Sequence, residues 1–77
     1  MKIRIVPTYE ADSFAVLDGY TDREIGRVWR YSNEEYPERG TRYVAFLELE
    51  GRGWKKISRH DSKYMAVRAL VAHDAKS

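Results

Sequence analysis

Apolar and polar residues alternate near the start of the chain in a way that predicts two strands and a hairpin. Residues 2–6 follow the two-residue period of a half-buried strand. Pro7 has no amide hydrogen to donate, so it ends this strand or places it at a sheet edge. Residues 13–17 are apolar and predict a second strand. Asp18-Gly19 follows them as a strong hairpin signal, because glycine tolerates the positive φ of tight turns.

Three further segments have the composition of strands. They are residues 24–32, 42–50 and 54–58, and an acidic stretch at residues 33–41 is expected to form a loop between the first two. Gly26 inside the first segment predicts a bulge. Strict alternation divides the middle segment into two partly apolar faces, with Ala45, Leu47 and Leu49 on one and Val44, Phe46 and Glu48 on the other.

The end of the chain changes from a two-residue to a helical period. A helix is predicted from Ser62 to about Lys76, with Asp61 or Ser62 as the N-cap because either side chain can accept from the free amides of the first turn. Its predicted apolar stripe consists of Ala66, Val67, Ala69, Leu70 and His73. The pattern as a whole predicts a single α+β domain over residues 1–77, in which a mainly antiparallel sheet of three to five strands packs against one C-terminal helix.

Composition limits which kinds of site this domain can contain and which cellular environment it fits. The chain has 77 residues and no cysteine, so disulfides, thiolate metal sites and thiol nucleophiles are excluded together. A small protein without them fits a reducing, cytoplasmic environment. The first twelve residues contain no long apolar run, so we expect neither a signal peptide nor a membrane span.

The modest net charge of +2 conceals an uneven distribution. Residues 51–68 carry six Lys or Arg side chains against Asp61 alone, whereas residues 8–24 carry five Asp or Glu side chains against Arg23 alone. Such a polarised molecule orients in an electric field, and its basic part attracts anionic partners. Solvated charge on exposed strands and helices accounts for the same pattern, so charge by itself does not identify a partner.

The residues that carry chemistry are few. His60 and His73 stand apart from each other, and the sequence has no HxH, HExxH or GxSxG pattern and no glycine-rich phosphate loop. Adjacent or alternating glutamates are ordinary on protein surfaces. We therefore expect a protein that is not an enzyme and that uses no metal, no cofactor and no small-molecule substrate.

The residues that suggest a binding function lie on one face of the predicted sheet. If Val28, Ala45 and Leu47 face the helix together with Ile57, alternation brings a mixed aromatic and basic set to the opposite face. That set is Arg27, Trp29, Tyr31, Val44, Phe46, Glu48, Trp54 and Lys56. Three interpretations remain open: a nucleic-acid surface, a surface for a partner protein, and a second core layer covered by the first hairpin.

Three sequence elements resemble a known family. They are G-x-V at Gly26–Val28, Y-V-A at Tyr43–Ala45, and H-D-S-x-x-x-A-x-R-A-L from His60 to Leu70. Together they resemble the three-stranded-sheet-plus-helix DNA-binding domain of plant ethylene-response factors and of the arm-binding domains of phage integrases. In that family the sheet lies in the major groove, which implies contact roles for Trp29, Tyr31, Phe46, Glu48 and Lys56, with Arg27 nearby.

The short, cysteine-free chain also resembles small phage-encoded proteins, which commonly bind host proteins or DNA. Our first hypothesis is therefore a binding module that engages DNA through the sheet face. The alternative is a phage-type module that engages a host or partner protein through the same aromatic face. The candidate interface residues are Arg27, Trp29, Tyr31, Trp54, Lys56 and Arg59.

Overall fold

The protein is a five-stranded antiparallel sheet with one helix packed on one face. The computed structural model describes residues 2–32, 40–49 and 51–76. Its elements are β1 (Ile3–Pro7), β2 (Ser13–Asp18), β3 (Glu24–Ser32), β4 (Thr41–Leu49), β5 (Gly53–His60) and α1 (Lys63–Lys76). This arrangement confirms the predicted α+β class. The predicted acidic loop, residues 33–41, lies outside the described residues except at its last two positions.

Each strand pairs with its neighbour in sequence, so the sheet has the order β1-β2-β3-β4-β5. The first hairpin therefore continues the sheet sideways from β3. The interpretation in which this hairpin folds over the aromatic face as a second core layer is wrong. Pro7 ends β1, which is an edge strand, so its missing amide interrupts no central ladder.

Two irregularities in strand pairing set the directions of the side chains. The first lies between Val16 and Leu17 of β2, opposite residues 24–26, and it confirms the bulge predicted at Gly26. The second lies between Ala45 and Phe46 of β4, opposite Ile57. An extra residue in one strand shifts the alternation of everything beyond it. For this reason the positions of β5 before and after Ile57 do not follow one simple period.

The core lies between α1 and the strands it covers, which are β3, β4 and β5. Its buried members are Val16, Ile25, Val28, Ala45, Ala66, Val67 and Leu70, with Leu47 and Ile57 packed against them. Leu70 is completely buried, as its place in the predicted stripe requires. His73 is exposed, so its inclusion in that stripe is wrong: it lies in the last turn of α1, where a cation complements the helix dipole.

The β2–β3 connection contains the predicted hairpin glycine, but for a different reason. Positive φ occurs at Asp22 (59°). The amide of Gly19 donates to the carbonyl oxygen of Lys2 at 2.7 Å, and a Cβ at position 19 would lie only 3.0 Å from that oxygen. Glycine at this position therefore permits the close approach of the chain that leads into β1.

The N-terminus of α1 is capped by Ser62. Its Oγ accepts a hydrogen bond from the amide of Met65 at 3.2 Å, which is the N-cap to N3 contact expected for a serine cap. Asp61, the other predicted candidate, instead forms an ion pair with Arg42, whose Nε lies 3.3 Å from Oδ1 of Asp61. Over the described ranges no helix has the length and apolarity needed to cross a bilayer.

Candidate functional site

The helix leaves one face of the sheet without a covering element in the described part of the chain. We call this surface, opposite α1, the open face. Because cross-strand partners point to the same side of a sheet, the pairing registers identify its side chains. On β3, β4 and β5 they are Arg27, Trp29, Tyr31, Arg42, Val44, Phe46, Glu48, Trp54, Lys56 and Arg59. All six candidate interface residues lie on this face.

Three rings form the centre of the open face, and we call them the aromatic cluster: Trp29, Phe46 and Trp54. The ring centroids of Trp29 and Phe46 are 4.9 Å apart, and those of Trp29 and Trp54 are 5.5 Å apart, both in edge-to-face geometry. Such pairs contribute about 0.5–1.5 kcal/mol beyond area burial. Val44, the cross-strand neighbour of Trp29, is only 5% exposed although no helix covers it. The cluster is therefore a packed layer of its own.

Arg27 packs against this cluster and is held there by two contacts. Its guanidinium carbon lies 4.7 Å from the ring centroid of Trp54, and its Nε donates to Oε1 of Glu24 at 2.7 Å. A cation over an indole face is attracted by the ring quadrupole. The two contacts hold the guanidinium group beside the half-buried rings.

Trp29 and Tyr31 occupy the same strand but differ in how firmly they are held. The indole N–H of Trp29 donates to Oε2 of Glu10 at 3.3 Å, in addition to the ring contacts. Tyr31 lies two residues further along β3, outside the aromatic cluster, and is 53% exposed. Its ring is the most accessible aromatic surface on the open face among the described residues.

Basic side chains line the β5 border of the open face. Lys56 pairs across the strands with Phe46, and Arg59 pairs with Val44. These two cations are three residues apart, and simple alternation would place them on opposite faces. The bulge at Ile57 brings them to the same side. Neither has a carboxylate partner within the described residues.

Arg42 belongs to this surface and is absent from the sequence-based candidates. It pairs across the strands with Tyr31, and its Nε bonds to the largely exposed Asp61 at 3.3 Å. The alternation that places Val44 and Phe46 on the open face also places Arg42 there, so this signal was present in the sequence.

The acidic segment, residues 8–24, is compensated by arginines from β1 and β3. Three of its carboxylates form ion pairs: Asp12 with Arg30, Asp22 with Arg4, and Glu24 with Arg27. The hydrogen bond to Asp12, followed by the charge of that carboxylate, raises the pKa of Arg30 above its usual value. Three of the five carboxylates in this segment are thus neutralised within the fold, whereas Lys56 and Arg59 of β5 have no ion-pair partner among the described residues.

Residues that could perform chemistry do not converge. Within residues 2–32, 40–49 and 51–76, no group of three or more His, Asp or Glu side chains is arranged to hold a metal ion. His60 shares a hydrogen bond of 2.8 Å between its Nε2 and Oγ of Ser58. The open face itself presents aromatic rings, cations and the guanidinium of Arg27.

Comparison of the chain with protein-family models, with curated proteins and with solved structures finds no match. The resemblance to three-stranded DNA-binding domains accordingly stays a prediction.

Proposed function

We propose that this protein is a non-enzymatic binding module that engages DNA through its open face. The observation that carries the proposal is an uncovered aromatic cluster whose border holds two cations, Lys56 and Arg59, without carboxylate partners in the described chain. DNA combines phosphate charge with flat apolar bases. A surface with cations on its border and rings at its centre is complementary to both.

The distribution of ion pairs supports an anionic partner more strongly than the net charge does. Arg4, Arg27 and Arg30 form ion pairs with carboxylates of the same chain, so their charge is largely compensated within the fold. Lys56 and Arg59 can neutralise phosphates and release the counterions condensed on a nucleic acid, and Arg42 can do so by exchanging its exposed partner Asp61 for a phosphate. This release supplies affinity that does not depend on base sequence.

A partner protein is the second candidate, because the aromatic cluster and Arg27 also favour it. Trp, Tyr, Phe and Arg are enriched at protein interfaces, and a few such side chains at the centre of a patch commonly dominate the binding energy. In this case the cations of β5 would act as rim charges, which mainly change the rate of association.

A titration at two salt concentrations tests DNA binding directly. A fluorescently labelled mixed-sequence oligonucleotide, both as a single strand and annealed to its complement, is titrated by anisotropy at about 50 and 200 mM salt. If the three cations each neutralise one phosphate, affinity should fall about 20- to 40-fold over this range. No binding of either form at the lower salt concentration would rule out DNA as the ligand.

Neighbouring lysines on β5 provide a matched pair of variants for the same titration. Lys56→Glu should weaken DNA binding and flatten the salt slope by about one unit or more, because it removes a cation and adds an anion. Lys55 pairs with Leu47 and therefore points to the helix side. Lys55→Glu makes the same charge change there and should retain most of the affinity. Equal losses in both variants would mean that general charge, and not the open face, attracts DNA.

A further inference from the structure

We infer that the ligand of the open face is an unpaired nucleic-acid strand and not a duplex. This inference rests on the proposed function and specifies its substrate. Three features of the molecule carry it: the width of the sheet, the arrangement of the rings, and the position of the β5 cations Lys56 and Arg59 relative to the exposed Tyr31.

The sheet is too wide to enter a duplex groove face-on. Neighbouring strands lie about 4.8 Å apart, so three strands span about 10 Å between their outer axes, whereas five span about 19 Å. The major groove of B-DNA is about 12 Å wide. Because β1 and β2 continue the sheet beside β3, they would meet the phosphate walls before the rings of β3 and β4 reached the base edges. A single strand presents no such walls.

The chemistry of the face favours base faces over base edges. In a duplex each base face is covered by its neighbours, so an aromatic ring meets one only after the base has been unstacked. The open face offers the aromatic cluster, Tyr31 and the flat guanidinium of Arg27. Unpaired bases stack both on aromatic rings and on guanidinium planes.

The spacing of the ring positions along β3 also favours an unpaired strand as the ligand. Trp29 and Tyr31 are two residues apart on one face, which is about 7 Å along a strand. Stacked bases in a duplex are about 3.4 Å apart along each strand. Consecutive bases can contact both positions only in a strand that is free to open its stacking.

Cations on β5 and rings on β3 give a bound strand a defined orientation. Lys56 and Arg59 follow one another along β5, so a sugar–phosphate backbone contacting both runs along that edge of the sheet. Its bases then point across β4 towards Trp29 and Tyr31. Arg42, beside Tyr31, supplies a further cation at the same end of the face.

The experiment compares three ligands of one sequence on the wild-type protein: a labelled 12-nucleotide DNA strand, the same strand annealed to its complement, and the corresponding RNA strand. Anisotropy gives the affinities at about 100 mM salt, and the intrinsic fluorescence of the two tryptophans reports ring contact. The DNA strand should bind at least tenfold more tightly than the duplex and quench tryptophan fluorescence.

The outcomes separate this inference from the proposed function. A duplex that binds as tightly as the single strand, or more tightly, overturns the inference and leaves DNA binding in place. If the RNA strand binds and the DNA strand does not, an unpaired strand is the ligand but DNA is not. If no nucleic acid binds, both proposals are wrong and the partner protein becomes the better candidate.

Substitution of Tyr31 tests the stacking position itself. Tyr31→Ala should weaken single-strand binding about 5- to 150-fold, the loss expected for removing one base–ring contact. Tyr31→Phe keeps the ring and should bind nearly as wild type does. Tyr64 lies on α1, behind the sheet, and is 68% exposed, so Tyr64→Ala provides a matched control that should leave binding unchanged. Equal affinities of Tyr31→Ala and wild type would remove Tyr31 from the interface and contradict the proposed path of the strand.

Discussion

Gly26 lies at a close approach between the sheet and the helix. A Cβ built there would lie 2.6 Å from Cδ2 of Leu70 and 2.6 Å from the carbonyl oxygen of Phe46. The leucine methyl could move, but the carbonyl belongs to the backbone of β4. The absence of a side chain at position 26 therefore lets Leu70 fill the centre of the core.

Gly26→Ala should consequently destabilise the fold by about 1–3 kcal/mol or more, the usual cost of overpacking a closed core. Urea denaturation followed by circular dichroism measures the change. Gly51 has φ of 67° and open space around it. Gly51→Ala therefore carries only the cost of left-handed backbone, about 1–2 kcal/mol. If the Gly26→Ala variant is as stable as the wild type, Leu70 of α1 must lie further from position 26 of β3 than the 2.6 Å contact implies.

At the scale of the elements, α1 depends on its cap because its first turn has no acidic residue. Ser62 is therefore the main local device that satisfies a free amide at the helix start. Ser62→Ala should lower stability by about 1 kcal/mol, whereas Ser62→Asp should retain most of it because a carboxylate can accept the same bond. Thermal denaturation compares the variants. A Ser62→Ala protein with the melting temperature of the wild type would show that the cap contributes nothing.

The bulge in β5 shows how an element can redirect a functional group. Without the extra residue at Ile57, alternation would direct Arg59 to the helix side and leave Lys56 as the one β5 cation on the open face. One inserted residue thus brings a second β5 cation, Arg59, to the same side of the sheet as the rings. A bulge changes the direction in which side chains point. This bulge places Arg59 on the same side as Lys56, along the edge where we propose that the sugar–phosphate backbone lies.

For the whole molecule, the open face is both a stabilising layer and the proposed interface, and Trp29 lies at its centre. Trp29→Ala removes two edge-to-face ring contacts, worth about 1–3 kcal/mol together, and also the burial of the indole, so it should lower the free energy of unfolding by at least this amount. The same variant should weaken DNA binding with little change in salt slope, because it removes no charge. Circular dichroism, a DNA titration and a pull-down measure these effects in parallel.

The combined results on Trp29→Ala distinguish the possible roles of the face. A variant that stays folded and binds DNA as wild type does contradicts our proposal. Loss of a protein partner with unchanged DNA binding favours the alternative. If the variant unfolds, Trp29→Phe retains a ring at this position and allows the binding measurements to be made on a folded protein.

The local pattern of apolar and polar residues was sufficient to predict the strands and the helix. The two-residue period, the hairpin signal at Asp18-Gly19, the bulge at Gly26 and the stripe containing Leu70 can be read from residues close in sequence, so the α+β class could be predicted. Alternation also placed Arg27, Trp29 and Tyr31 together on one face with Trp54 and Lys56. Sequence therefore determined the elements, the buried center around Leu70 and most of the candidate surface.

Tertiary structure decided how those elements combine. Whether the first hairpin continues the sheet or covers it depends on pairing between β2 and β3, which no local period specifies, and that choice sets the width of the open face. The neutralisation of Asp12 and Asp22 likewise depends on arginines that fold next to them. Among the cations on the open face of the described chain, Arg27 and Arg42 pair with Glu24 and Asp61, whereas Lys56 and Arg59 have no carboxylate partner, because the fold brings no described carboxylate within ion-pair distance of them.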